Sequence, residues 1–252
     1  MKKVLDVQNL TYKPFFDNMN LKLEQENLYI LTGKDGCGKT LFAKCLLNLV
    51  DYEGNITYEN AKIKVEDIGY VGNDYNFIEG TVLDNLLYPL INLEYSETEA
   101  KLLVYKLSNK FMLDDILLKN CDEINVENKI LVSLLASLVY NPKVLIIDND
   151  LSEMNPILKN KIFKYLSTLG NTLTIFVTKN YEDFLLANKI LLISNKKIEV
   201  IEKSKLLNSE KLLLENNLNL PFEYNLSKKL ELYELIDKEY INMSEMIDDI
   251  WK

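Results

Sequence analysis

The strongest constraint on this chain is the stretch Gly33-Lys34-Asp35-Gly36-Cys37-Gly38-Lys39-Thr40. Glycine, four residues, then Gly-Lys-Thr is the spacing of a phosphate-binding P-loop. The context agrees. Leu28–Thr32 reads as a short apolar strand, and Leu41, Phe42, Cys45, Leu46 and Leu49 follow the loop at helical spacing. Glycines let successive backbone N–H groups curl around a phosphate, and the helix N-terminus adds the positive end of its dipole. In that arrangement Lys39 reaches the β- and γ-phosphates of a nucleoside triphosphate, and the Thr40 hydroxyl ligates Mg²⁺. Gly33, Lys34, Asp35, Gly36, Cys37, Gly38, Lys39, Thr40 and Leu41 are therefore the expected nucleotide-binding residues. A second pattern supports the first. Val144-Leu145-Ile146-Ile147-Asp148 is an apolar strand ending in a carboxylate, the Walker B pattern that holds the magnesium shell. A strand ending in Asp is common alone, so its weight comes from the P-loop that precedes it.

Composition removes other chemistries. The chain has 252 residues, enough for one large domain or a domain with an appendage. Lysines number 29, with no arginine, against 38 Asp plus Glu, for a net charge of -9. Nucleic-acid binding draws most of its affinity from phosphate neutralisation, so no nucleic-acid partner is expected. Histidine is absent, which excludes His general bases, Ser-His-Asp triads and His-ligated zinc. Cys37, Cys45 and Cys121 are odd in number and lack CxxC spacing, so reduced thiols are expected. No apolar run approaches the ~20 residues that span a bilayer, and the N-terminus turns polar too soon for a signal peptide. The expectation is an intracellular soluble protein, or one held at a membrane by a partner.

Along the chain, Lys3–Gln8, Asn20–Glu24, Gly54–Tyr58 and Lys62–Tyr70 also read as strands. Thr81 to Tyr140 is mostly helical, with Pro89 and Asp114–Asp115 as breaks. Strand character returns at Leu173–Thr178, Lys189–Ser194 and Lys197–Ile201, with a helix near Pro156–Leu169. This order predicts a mixed α/β domain over 1–203, with a helical insertion near 75–140. A small polar helical unit is expected over 204–252, with a break at Asn219-Leu220-Pro221.

These residues resemble the ATP-binding subunits of ABC transporters, particularly the energy-coupling-factor type. Tyr12, in Leu10-Thr11-Tyr12, falls where that family has the aromatic that stacks on adenine. Tyr70-Val71-Gly72-Asn73 stands where the family reads Tyr-Val-Phe-Gln, and Gly80 to Leu86 looks like the segment near the membrane-partner contact. Pro142 to Pro156 runs in family register through Walker B and the D-loop. Leu218 to Phe222, continuing to Met243–Ile250, is similar to the family's C-terminal dimerisation region. The resemblance implies an ABC-type fold, bound ATP and Mg²⁺, with Thr40, Asn73 and Asp148 near the metal. It also implies a paralogous ATP-binding subunit, an integral membrane transporter subunit, and a place at the cytoplasmic face of the membrane.

The departures from the family pattern fall on its catalytic loops. The signature Leu-Ser-Gly-Gly-Gln aligns with Ile124-Asn125-Val126-Glu127-Asn128. Glu127 adds a negative charge where the family's backbone meets the partner's γ-phosphate, and like charges ~4 Å apart cost ~1–4 kcal/mol. The catalytic Glu is Asn149, whose amide hydrogen-bonds water without taking its proton. The D-loop Asp is Asn155, the Q-loop Gln is Asn73, and the switch His is Lys179. Two readings stand for Lys179, a substitute cation at the γ-phosphate and a solvated loop lysine. Two stand for Tyr12, a base platform and a strand-end aromatic on the core. Cys37 reads as a reactive thiol or as a tolerated small residue, and Glu127 as a salt-bridge partner on an ordinary helix start or as the mark of relaxed selection on the signature. The expected function is an ATP-binding transporter subunit with impaired hydrolysis, in a heterodimer. The alternative is a non-hydrolysing scaffold with no transport role.

Overall fold

The computed structural model describes the chain apart from residues 1–2, 26, 208, 219–221, 239, 241–242 and 252. Strands β1 (Val4–Tyr12) and β2 (Phe16–Glu24) form a hairpin. β3 (Leu28–Gly33) leads through the glycine-rich loop into α1 (Lys39–Leu46). Then come β4 (Glu53–Tyr58), β5 (Ala61–Lys62) and β6 (Ile68–Gly72). Helices α2 (Val82–Asn92), α3 (Glu97–Phe111) and α4 (Val126–Leu138) separate β6 from β7 (Val144–Asp148). The core closes with α5 (Pro156–Ser167), β8 (Leu173–Val177), α6 (Tyr181–Phe184), β9 (Lys189–Ser194) and β10 (Lys197–Glu202). After it follow α7 (Lys203–Leu207), α8 (Glu210–Glu215), α9 (Phe222–Leu232) and α10 (Met243–Ile250).

The fold is mixed α/β, as expected. One sheet is antiparallel, in the order β2-β1-β4-β5; the other has the order β10-β9-β3-β8-β7-β6. In the second sheet β3 pairs parallel with both β8 and β9, β7 pairs parallel with β6 and β8, and β10 closes one edge antiparallel. Every residue of β3, β7 and β8 is buried, which explains why these strands read as unbroken apolar runs. Side-chain alternation divides them between two cores. Tyr29, Leu31, Ile146 and Ile175 pack with Phe42 of α1 and Phe16 of the antiparallel sheet. Ile30, Ile147 and Phe176 pack on the other face with Leu135 of α4 and Phe163 of α5.

Helix starts are written locally. Thr81 and Asp84 form a capping box at α2, and Ser96 and Glu99 another at α3. Asn125 and Asn155 accept backbone N–H bonds at the starts of α4 and α5, with Pro156 in the first turn of α5.

Three expectations change. The strand expected over Lys62–Tyr70 is two strands in different sheets, joined by a 3₁₀ turn at Val65–Asp67. The polar Lys64 and Glu66 there are exposed. Pro89 lies inside α2 rather than breaking it, because the buried residues Val82, Leu86, Leu87 and Leu90 hold that face on the core. β1 continues past Gln8 to Tyr12 across a register shift. Asn9 takes a left-handed φ of 53°, and its N–H is held by the Asn20 side chain at 3.0 Å. The break at Asn219-Leu220-Pro221 lies outside the described residues.

One polar cluster is built into the helical side of the core. Lys159 of α5 ion-pairs with Asp183 of α6, their side chains 13% and 4% exposed. Thr178, at the end of β8, donates to the same carboxylate at 2.7 Å. Removing one partner of a buried pair leaves an uncompensated charge. We expect Lys159→Met to lower unfolding free energy by about 3–5 kcal/mol in urea titrations. Lys101→Met, which removes the exposed pair with Glu97, should leave it nearly unchanged. Equal small losses would contradict the account.

Candidate functional site

The loop between β3 and α1 has an open mouth and a packed back. Gly36 has φ +70°, and a Cβ there would meet nothing within 4 Å. Gly38 has φ +105° at the N-cap of α1, and a Cβ there would come within 3.3 Å of Phe15 and Phe16. Both positions need glycine for their left-handed backbone, and Gly38 needs it for space as well. The Lys39 ammonium lies within the loop, donating to the carbonyls of Gly33 at 3.0 Å and Lys34 at 2.8 Å. Cys37 Sγ is 3.9 Å from the same ammonium. Burial pushes the Cys37 thiol up, and nearby Lys39 opposes that only in part. A raised pKa favours the tolerated small residue over the reactive thiol. Thr40 is exposed at the start of α1 and Leu41 half-buried behind it.

Lys179, just beyond β8, crosses to the P-loop and ion-pairs with Asp35. That hydrogen bond and charge hold the Asp35 carboxyl below the usual range. Asp148 ends β7 and is buried, in register with Gly72 of β6. Tyr70 on β6 is close enough to feel it. Burial first, then the Asp148 charge, raise the Tyr70 hydroxyl.

Asn149, which is buried, donates its side-chain amide to the Gly72 carbonyl at 2.6 Å. The exposed Asn73 accepts the backbone N–H of Asp150 at 3.2 Å. These two bonds tie the end of β7 to the end of β6. At the start of α4, Asn125 accepts from Asn128 N–H at 2.9 Å, while Val126 is exposed. Glu127 accepts the Asn155 N–H at 2.7 Å, so its charge sits at the N-terminus of α5, where the helix dipole favours an anion.

Three recesses surround these groups. A cavity of about 690 Å³ beside the P-loop is lined by Phe15, Lys34 and Cys37 on one side, and by the β9–β10 turn and Leu212, Glu215 and Asn216 on the other. Tyr12 lines a separate groove of about 520 Å³ with Thr11, Lys13, Asp51, Tyr52 and Glu53. A third, of about 240 Å³, lies between the β6 end and α2–α4, with Tyr70, Phe77, Tyr88 and Ala136 in its walls. The structure thus brings together the loop, Lys39 and Lys179, and puts Tyr12 in a different recess. Sequence reasoning did not single out Phe15, in the turn between β1 and β2, or α8, both of which line the cavity beside the P-loop.

A strand–glycine loop–helix unit with a lysine inside the loop, on a mostly parallel sheet with a buried carboxylate, defines a P-loop protein. Residues 16–152, more than half of the chain, match the family described as ABC transporter, and the chain belongs to that family. It is 25% identical over 253 residues to the energy-coupling factor transporter ATP-binding protein EcfA1 of Mycoplasma pneumoniae, covering 95% of this chain and 92% of that protein. It is 24% identical over 249 residues to EcfA1 of Mesomycoplasma hyopneumoniae, covering 93% and 90%. Among solved structures, cbiO1 from Clostridium perfringens, part of the ABC transporter complex cbiONQ, superposes with a TM-score of 0.73 at 19% identity. That match covers 93% of this chain and 100% of that one, and shares the fold.

The Asp35–Lys179 pair makes a pH-dependent bridge. A lowered carboxyl pKa means that the bridge is fully present above the ordinary Asp range and lost as pH falls through the lowered value. We expect carboxyl-detected NMR titration to find Asp35 below ordinary aspartates, and Lys179→Met to return it upward. An unchanged midpoint in Lys179→Met would break the assignment.

Proposed function

We propose that this chain is the ATP-binding subunit of an energy-coupling-factor-type membrane transporter. In this reading it binds Mg-ATP, has impaired hydrolysis of its own, and works beside a paralogous subunit at the cytoplasmic face of the membrane. The observation that carries the reading is the loop between β3 and α1, with an open mouth at Gly36 and the Lys39 ammonium inside it. Relatives named as energy-coupling factor ATP-binding proteins support the subtype over nine-tenths of their lengths.

The donor set fits the ligand. Backbone N–H groups of residues 34–40 and the Lys39 ammonium suit the phosphates. Among the described residues no group of three His, Cys, Asp or Glu is placed to hold a metal ion. One carboxylate (Asp148), one hydroxyl (Thr40) and phosphate oxygens are the mixed donors that Mg²⁺ takes; Asn73 stands at the rim. Bound Mg²⁺ would neutralise phosphate charge. Impaired hydrolysis follows from Asn149, which has no proton-accepting carboxylate and whose amide is committed to Gly72. The same observation favours the second reading, a non-hydrolysing scaffold.

No helix among the described residues is long and apolar enough to cross a membrane; in this reading an integral membrane partner supplies the span. The third recess and the neighbouring exposed Tyr88 and Ile91 suit an apolar helix from such a partner. Residues 1–203 form the ATP-binding domain in this reading, with its helical insertion near 75–140. Residues 204–252 form a pairing unit, for which the exposed Leu232, Tyr233, Leu235 and Trp251 offer apolar surface. Tagged protein captured from detergent-solubilised membranes should bring down an integral membrane protein and a second ATP-binding chain. Ala136→Trp, which fills the third recess, should lose the membrane protein while keeping ATP binding. Recovery as a soluble homodimer alone would leave the scaffold reading and remove the transport one.

A further inference from the structure

We infer that Lys179 is the counterion of the phosphate loop's own carboxylate: by holding Asp35, it keeps that side chain off Lys39 and off the incoming phosphates. A buried trio, Lys159, Asp183 and Thr178, positions Lys179 for this. The inference rests on the Mg-ATP reading and adds how the loop tolerates an acidic residue at its mouth.

Asp35 is an unfavourable residue for a polyphosphate site. It directly precedes Gly36, the open point of the loop, and its side chain is 81% exposed. A carboxylate there repels phosphate oxygens. It also lies within electrostatic reach of Lys39, whose ammonium sits on the carbonyls of Gly33 and Lys34. Those neutral carbonyls yield readily to a phosphate, because a charged acceptor makes roughly twice the hydrogen bond. An unpaired Asp35 would not yield in this way. It is a charged acceptor itself, and would contest the ammonium on equal terms.

Lys179 removes both effects by ion-pairing with Asp35. Its ammonium is therefore neither that of a solvated loop lysine nor a cation left free for the γ-phosphate. An exposed ion pair adds little to stability. The consequence of this one is local and electrostatic, at the place where phosphates enter.

The backbone around residue 179 is pinned on both sides. β8 runs parallel to β3 and pairs with it, and the Thr178 N–H donates to the Leu31 carbonyl at 3.2 Å. The chain thus leaves β8 beside the strand that enters the loop. The Thr178 hydroxyl donates to Asp183 at 2.7 Å and accepts the Asn180 N–H at 3.0 Å. The Asn180 side chain in turn caps α6, accepting the Glu182 N–H at 3.3 Å. Asp183 is buried and ion-paired with the largely buried Lys159 of α5, so the acceptor of the Thr178 hydroxyl is itself fixed from the core. Lys159, Asp183 and Thr178 are positioning residues: they act on the loop through Lys179.

The test is a double-mutant cycle on the full chain, with Mg-ATP and inorganic tripolyphosphate as probes at low ionic strength. Lys179→Met should weaken both probes about five-fold, the weight of one unit charge ~4 Å away in water. Made on top of Asp35→Asn, the same change should weaken them by less than about two-fold relative to Asp35→Asn alone, because the charge it neutralised is gone. Thr178→Val, which replaces the hydroxyl by a methyl, should weaken ATP when Asp35 is present and not in Asp35→Asn. Thr178→Ser should restore it. A merely structural role for Thr178 would weaken ATP equally in both backgrounds, and that result overturns the positioning assignment. Equal losses from Lys179→Met with and without Asp35 overturn the counterion assignment, since Lys179 would then act on the ligand directly. If Lys39→Ala abolishes ATP binding and Lys179→Met leaves it unchanged, this inference alone fails. If the unmodified protein binds neither probe, the Mg-ATP reading fails and this one falls with it.

Discussion

The site depends on the position of one strand. β3 is hydrogen-bonded along both edges, to β8 and β9, and buried on both faces, so its end at Gly33 has little freedom. The backbone that follows cannot continue the ladder, and its polar groups must be satisfied elsewhere. Lys39 does part of this by reaching back from α1 to the carbonyls of Gly33 and Lys34. The loop is thus held at the right curvature by its own lysine, and its mouth is left open at Gly36. A phosphate competes for that ammonium with two neutral carbonyls, and a charged acceptor makes roughly twice the hydrogen bond.

Around this loop, the side chains that the resemblance reads as departures from the family pattern are tied to neighbours. Asn149 holds Gly72, Asn73 holds Asp150, Glu127 holds the start of α5, and Lys179 holds Asp35. Each bond joins two segments that the family resemblance places around a reacting phosphate. In the proposed reading these loops have exchanged proton transfer for rigidity. An amide at 149 both removes the base and supplies a donor that a carboxylate lacks. Restoring Glu there would set a carboxylate oxygen toward the Gly72 carbonyl, at a cost of about 1–3 kcal/mol for the unsatisfied acceptor.

What could be read from the sequence was what is written locally. The P-loop spacing, the apolar run into Asp148 and the helix near Pro156–Leu169 each rest on residues close together in the chain. The mixed α/β class followed from them. Long-range pairings were not legible. Lys159 and Asp183 look like two unremarkable charges until α5 and α6 fold together. Nothing at Lys179 announces Asp35, because the pairing of the strands they follow, β8 and β3, is not written in either segment. Pro89 looked like a helix break because local preference ignores the tertiary contacts of Leu86 and Leu90. Tyr12 ends β1 and shares a groove with Tyr52, a neighbour that forty intervening residues hide from local reading. The separation of β5 from β6 into two sheets depends on strand partners far along the chain, Thr57 for Lys62 and Val144 for Ile68.

The most direct test of the central claim, a nucleotide site without its proton acceptor, is paired ATP binding and turnover on the purified chain. Lys39→Ala and Asn149→Glu are measured alongside. The account predicts Mg-dependent ATP binding that Lys39→Ala abolishes, and turnover of the unmodified chain no higher than the Lys39→Ala background. Brisk turnover that disappears in Lys39→Ala would contradict it, because another residue would then be taking the proton that Asn149 cannot.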